Sequence, residues 1–160
     1  KNELKVSVCV ISYNQQGYIR ECLTSLIEQE TNFDYEIVVR DDKSSDSTYS
    51  IIKEFSSKYP SKIKLLDSTD NIGMNSNLKT VMENASGEYI AICEGADFWT
   101  EKDKLQIQYD LAKKHAKVIV VTEESMECSF SLGLVSRIQE NCFEYLDNLS
   151  CHNLLFVCLL

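Results

Sequence analysis

The sequence predicts an α/β fold, a mostly parallel sheet with helices on both faces, on three observations. Short β-branched, apolar runs alternate five times with segments whose apolar residues recur at the helical period. One run, Tyr-Ile-Ala-Ile-Cys at residues 89–93, lies between Gly87 and the pair Glu94-Gly95, as a strand buried in a parallel sheet does. Polar or acidic residues follow the first, second and fourth runs, and right-handed crossovers open all three loops on one edge of the sheet.

Residues 4–12, Leu-Lys-Val-Ser-Val-Cys-Val-Ile-Ser, make the first strand, broken at Tyr13-Asn14-Gln15-Gln16-Gly17. Ile19, Cys22, Leu23, Leu26 and Ile27 then occupy the apolar stripe of an amphipathic helix. A second strand over 35–40 ends in Asp41-Asp42. Asp46 or a neighbouring serine caps the next helix, whose apolar face is Thr48, Ile51, Ile52, Phe55 and Tyr59 and which stops at Pro60, the only proline. A short third strand, 63–66, leads through the loop 67–73 to a helix with Met74, Leu78, Val81, Met82 and Ala85 on one side, ended by Gly87 as a C-cap. After the strand at 89–93, Thr100 caps a helix over 101–114 with Leu105, Tyr109 and Ala112 inward, and its basic end Lys113-Lys114-His115 suits the negative pole. Residues 118–121 read as a fifth strand. From about residue 123 neither period persists, and four of the seven cysteines fall between 128 and 158. The expected division is one domain over 1–122 and an atypical or truncated tail over 123–160, with helix around 146–160, although the closing apolar run 154–160 taken alone reads as buried strand or helix or a sticky end.

At 160 residues the chain is about one domain, long enough to bury roughly two-thirds of its unfolded surface. A formal charge of -9, spread along the chain, argues against nucleic acid as a partner, because phosphate backbones call for a basic face. No run of about 18 apolar residues is present to span a bilayer, and the first residues do not read as a signal peptide. The odd cysteine count, with no CxxC pair and no zinc-like spacing, indicates free thiols and a cytoplasmic setting.

The converging loops suit a particular chemistry. One or two carboxylates on a sharp turn, here Glu94 and Asp97, can hold Mn2+ or Mg2+ while a substrate diphosphate supplies further oxygens. Such an ion neutralises charge growing on a departing diphosphate. Asp42 could accept from a base N–H or a ribose hydroxyl, and Tyr13 could stack on the base. Taken singly, each acid also reads as a helix cap or a loop polar residue. Phe98 and Trp99 read as packing under the turn.

Four stretches carry a family resemblance: Val-Ser-Val-Cys-Val-Ile-Ser-Tyr-Asn, Val-Val-Arg-Asp-Asp-Lys-Ser-Ser-Asp-Ser-Thr, Asn71-Ile72-Gly73-Met74-Asn75, and Gly-Glu-Tyr-Ile-Ala-Ile-Cys-Glu-Gly-Ala-Asp-Phe-Trp. In order and spacing, over residues 4–122, they resemble the family 2 glycosyltransferases of GT-A (Rossmann-like) fold. The resemblance implies an inverting enzyme that takes a sugar from a nucleotide diphosphate sugar, commonly a UDP-sugar, and passes it to a glycan or lipid-linked acceptor in polysaccharide synthesis, at the cytoplasmic face of a membrane or in peripheral contact with it. Carried over by position, Ser12, Tyr13 and Asn14 line the nucleotide site, Asp41 or Asp42 meets the uracil, and Glu94, Gly95, Ala96 and Asp97 face the diphosphate and sugar, with Asp97 and Glu94 toward the metal. Three departures from the pattern stand out. Ala96 occupies the position of the first of the family's paired aspartates. Leu78 aligns with an arginine that can meet the diphosphate. The segment that carries the catalytic base has no counterpart, and no acid between Glu123 and Asp147 is singled out. Transfer impaired by Ala96 and a short C-terminus is therefore one expectation, and a non-catalytic nucleotide-sugar-binding or scaffold domain is the alternative.

Overall fold

A computed structural model describes residues 4–114 and 156–158. The elements run β1 (Leu4–Ser12), α1 (Ile19–Ile27), β2 (Asp34–Asp41), α2 (Thr48–Lys58), β3 (Ile63–Leu65), α3 (Met74–Glu83), β4 (Tyr89–Glu94), α4 (Lys104–Lys114) and β5 (Phe156–Cys158). The strands form one sheet in the order β3-β2-β1-β4-β5, and every pairing is parallel. The α/β class and the mostly parallel sheet are as the sequence predicts. In β1, Val6, Val8 and Val10 face one side and Cys9 and Ile11 the other, because successive side chains of a strand alternate.

That alternation builds two apolar layers. On one face Val8, Val10, Ile37, Val39, Ala91 and Cys93 pack against Ile19, Leu23 and Leu26 of α1, Ile52 of α2, and Trp99, Leu105 and Tyr109. On the other, Cys9, Ile11, Val38 and Ile90 meet Val81 and Met82 of α3. Each such side chain taken from water contributes about 1.5–3 kcal/mol, which is why the three long strands are apolar on both faces.

The structure corrects several expectations. Of the face expected on α3, Val81 and Met82 are buried and Leu78 and Ala85 pack against them, but Met74 is 63% exposed and Asn77 is buried as well. The last helix begins at Lys104, not after a Thr100 cap. Residues 156–158 form a strand, one of the readings open for the run 154–160, and not the helix expected around 146–160. The strand expected at 118–121 and the candidate acids between Glu123 and Asp147 lie outside the described residues.

Gly87 is not a helix cap either, since α3 ends at Glu83 with Asn84 as its C-cap. It is a close-approach glycine: its N–H donates to Ser7 Oγ at 2.8 Å, and a Cβ there would stand 2.5 Å from the Ser7 backbone nitrogen and 2.6 Å from the Val6 carbonyl carbon. Backbone cannot yield as a flexible side chain can. Gly87→Ala is expected to cost about 1–3 kcal/mol, the usual range for an overpacked site. A urea midpoint within error of the parent would contradict it.

Candidate functional site

The carboxyl ends of β1, β2 and β4, with the start of α3, enclose a cleft of about 330 Å³ lined by Ser12, Tyr13, Gln15, Asp42, Asn71, Gly73, Met74, Asn77 and Glu94. It sits where the chain, having laid β2 and β3 to one side of β1, returns to lay β4 on the other, the position at which ligands collect in open parallel sheets. Of the sequence-predicted residues, Ser12, Tyr13, Asp42 and Glu94 line it together; Asn14, Asp41, Gly95, Ala96 and Asp97 adjoin it in the chain but are not among its lining residues.

The two adjacent aspartates have different surroundings. Asp41, wholly buried, faces the α1/α2 side; its carboxylate accepts from Ser12 Oγ at 3.2 Å, from Ser44 N at 2.8 Å and from Ser44 Oγ. It fastens the β1 and β2 loops to each other. Asp42 is on the cleft wall. Its Oδ1 accepts from Arg40 Nη1 at 3.0 Å and Ile72 N at 2.8 Å, and its Oδ2 accepts from Gly73 N at 2.9 Å. A carboxylate has about four lone-pair positions, so one on Oδ2 is left for a ligand.

Asn14 also serves the frame. It holds a left-handed backbone, φ 53°, which asparagine adopts more readily than most residues, and its Oδ1 accepts from Ser45 N at 2.8 Å. Gln15 N to Thr48 Oγ1 and Ser47 N to Gln16 Oε1, at 2.8 and 3.0 Å, lace the same two loops. Asp46 accepts from Thr48 N at 2.9 Å and from its hydroxyl. Burial opposes ionisation of Asp46, but these hydrogen bonds outweigh it and hold its carboxyl below the usual range. Between the laced loops Tyr13 stays 51% exposed, an open aromatic face at the cleft mouth.

The acidic segment is a tight turn, with Asp97 N donating to the Glu94 carbonyl at 3.0 Å and Gly95 N to the Ile11 carbonyl at 2.9 Å. Glu94 and Ala96 are exposed and Asp97 is half-buried. Gly95 is buried because the turn presses on its neighbours: a Cβ would meet Gln15 Oε1 at 2.5 Å and both Ile19 Cδ1 and Ser12 Cβ at 3.0 Å. Trp99 packs as expected, whereas Phe98 is 50% exposed. Behind the turn the thiols of Cys22 and Cys93 lie 3.9 Å apart, and the hydrogen bond between them, with burial, pushes the Cys22 thiol well up.

Among the described residues, no three His, Cys, Asp or Glu side chains come together as a metal-holding group. Two carboxylates on one turn do not make a resident metal centre. A hard cation that arrives on a diphosphate needs only one or two protein oxygens, and Glu94 is the acid of this turn that lines the cleft.

Sequence reading passed over Arg40 and Asn77. Arg40 reads as the polar end of a strand, yet it is buried and bonded to Asp42, to Asn77 Oδ1 at 2.9 Å and to the carbonyls of Asp67 and Asp70 at 3.1 and 2.9 Å. The available signal was an arginine in a parallel strand buried on both faces, where an unpaired charge is not tolerated.

Comparison with known proteins adds to this geometry. The family described as Glycosyl transferase family 2 matches residues 7–158. An uncharacterised protein of Mycobacterium tuberculosis is 41% identical over 115 residues, 72% of this chain and 33% of its own. Among solved structures, a Pyrobaculum calidifontis mannosyltransferase in complex with GDP-Man and Mn2+ aligns with a TM-score of 0.65 at 26% identity, over 76% of this chain and 36% of its own. Staphylococcus aureus TarS in complex with UDP-GlcNAc aligns with a TM-score of 0.57 at 27% identity, over 74% and 35%. The chain spans about a third of the length of each of these proteins. Among the described residues no helix is long and apolar enough to cross a membrane.

Proposed function

This chain belongs to glycosyl transferase family 2, and from that premise we propose that it forms the nucleotide-sugar-binding part of an inverting glycosyltransferase that uses a UDP-sugar. The observation that carries the reading is Asp42: a buried carboxylate on the cleft wall with one acceptor position left, beside the open face of Tyr13. Uracil matches that pair, with an N–H to donate and a ring face to stack. Ser12 and Asn14 keep the loop in place, and Asp41 ties the β1 and β2 loops together rather than meeting the ligand.

In the transfer, an acceptor hydroxyl attacks the anomeric carbon as the bond from that carbon to the diphosphate oxygen breaks, the acceptor proton leaves to a base, and the configuration inverts. Glu94 and Asp97 would hold a cation brought by the diphosphate. When bound, that cation neutralises charge on the departing diphosphate. The residues of this chain orient the nucleotide so that the diphosphate lies at the turn. A glycan or lipid-linked acceptor and peripheral contact with a membrane at its cytoplasmic face belong to the same proposal.

Ala96 favours a second reading, a domain that binds the nucleotide sugar without transferring it, because an apolar side chain at that position supplies no oxygen to a cation. Both readings expect UDP to raise the Tm more than ADP or GDP does, since ligands that bind only the folded state stabilise it by mass action. No shift with any nucleotide at millimolar concentration refutes both. Sugar transfer or donor hydrolysis by the natural full-length chain separates them.

A further inference from the structure

We propose that Arg40 is a positioning residue that sets the base selectivity of the cleft, by aiming Asp42 and fixing the segment 67–73 as the wall beside it. The inference rests on the cleft taking a nucleotide.

Arg40 projects from β2 on the α3 side, as Val38 does, and its guanidinium ties together parts of the chain far apart in sequence. Nε donates to the Asp67 carbonyl at 3.1 Å and Nη2 to the Asp70 carbonyl at 2.9 Å, while Nη1 divides between Asp42 Oδ1 at 3.0 Å and Asn77 Oδ1 at 2.9 Å. Asp42 closes the ring by accepting from Ile72 N and Gly73 N, and Asn71 Nδ2 donates to the Asp42 carbonyl at 2.9 Å. One buried fork therefore decides where the carboxylate points and where residues 71–73, two of which line the cleft, are placed. Arg40 itself does not line the cleft, so it acts through these residues.

The consequence is selectivity. A fixed carboxylate accepts from the N3–H of uracil but opposes the N3 lone pair of cytosine, and a site built around a buried polar group discriminates strongly against a base that leaves the group unpaired. A carboxylate free to turn away loses that discrimination. Lysine offers a single nitrogen and cannot reproduce a three-nitrogen fork.

The test compares UDP with CDP, which share ribose and phosphates, on the parent chain, Arg40→Lys and Arg40→Gln, together with amide hydrogen exchange at Ile72 and Gly73. We expect the parent to prefer UDP at least tenfold and the ratio to fall toward one in Arg40→Gln and partway in Arg40→Lys. We also expect exchange at Ile72 and Gly73 to quicken at least tenfold while Val8 and Val10 stay protected. A general loss of stability weakens both nucleotides alike and leaves the ratio unchanged. If Arg40→Gln fails to fold, Arg40→Lys decides. A ratio that survives substitution, or one that falls with exchange unaltered, overturns the inference. So does a parent that binds both nucleotides equally. A parent that binds neither refutes the nucleotide reading itself.

Discussion

Asp42→Ala is expected to remove about 3–5 kcal/mol of stability, and with it any rise of Tm on adding UDP. The Arg40 and Asp42 side chains are 6% and 5% exposed, so alanine at 42 leaves a guanidinium enclosed without a counter-charge, and it strips the acceptors from the Ile72 and Gly73 amides. Breaking one side of a buried pair costs far more than the pair's own net contribution, because the charge left behind has lost its water as well. Against a typical total of about 5–15 kcal/mol, such a loss brings the chain near its folding threshold. The pair Arg20–Glu54 is the internal contrast: it lies in solvent at 54% and 59% exposure, and Glu54→Ala should leave the urea midpoint almost unmoved. If Asp42→Ala shifts the midpoint no further than Glu54→Ala does, the buried ring around Arg40 is not what holds the cleft wall.

Ala96→Asp is expected to act in the opposite sense, tightening Mn2+ binding to the UDP-loaded chain about tenfold, which corresponds to ~1.4 kcal/mol. Position 96 is exposed in a tight turn, and aspartate is at home in turns, so the change requires no repacking. It places a third carboxylate beside Glu94 and Asp97 where hard cations seek oxygen. Without the cation the added charge repels its neighbours, so Tm should fall slightly in chelator and recover with Mn2+ and UDP together. Titration calorimetry showing the parent Mn2+ affinity would remove position 96 from the cation site.

The frame was legible because it follows from periodicity. Val8, Val10, Ile37 and Val39 declare buried strands, and the stripe Ile19, Cys22, Leu23 and Leu26 declares α1, whose expected span coincides with the observed one. The candidate site was legible as a set of loops but not as a set of contacts. That Asp42 and Glu94 share a cleft follows from strand order, whereas the distinction between Asp41 and Asp42 depends on which side of β2 each one faces. Arg40 and Asn77 escaped for a related reason. A polar residue inside an apolar pattern looks like a blemish until its partner is known, and the partners here are 2, 27, 30 and 37 residues away. Gly87 was misread because a glycine that follows a helix resembles a terminator, while its real constraint, the Ser7 backbone, lies 80 residues back.

The packing at Gly95 has a mechanical consequence. A methyl group there would meet the ends of the Gln15 and Ile19 side chains and the Ser12 Cβ, so the turn is seated directly against the end of β1 and the first residue of α1. The acids are thereby carried on a turn braced by the sheet and α1, and the exposed positions 94 and 96 can exchange one chemistry for another without touching that contact.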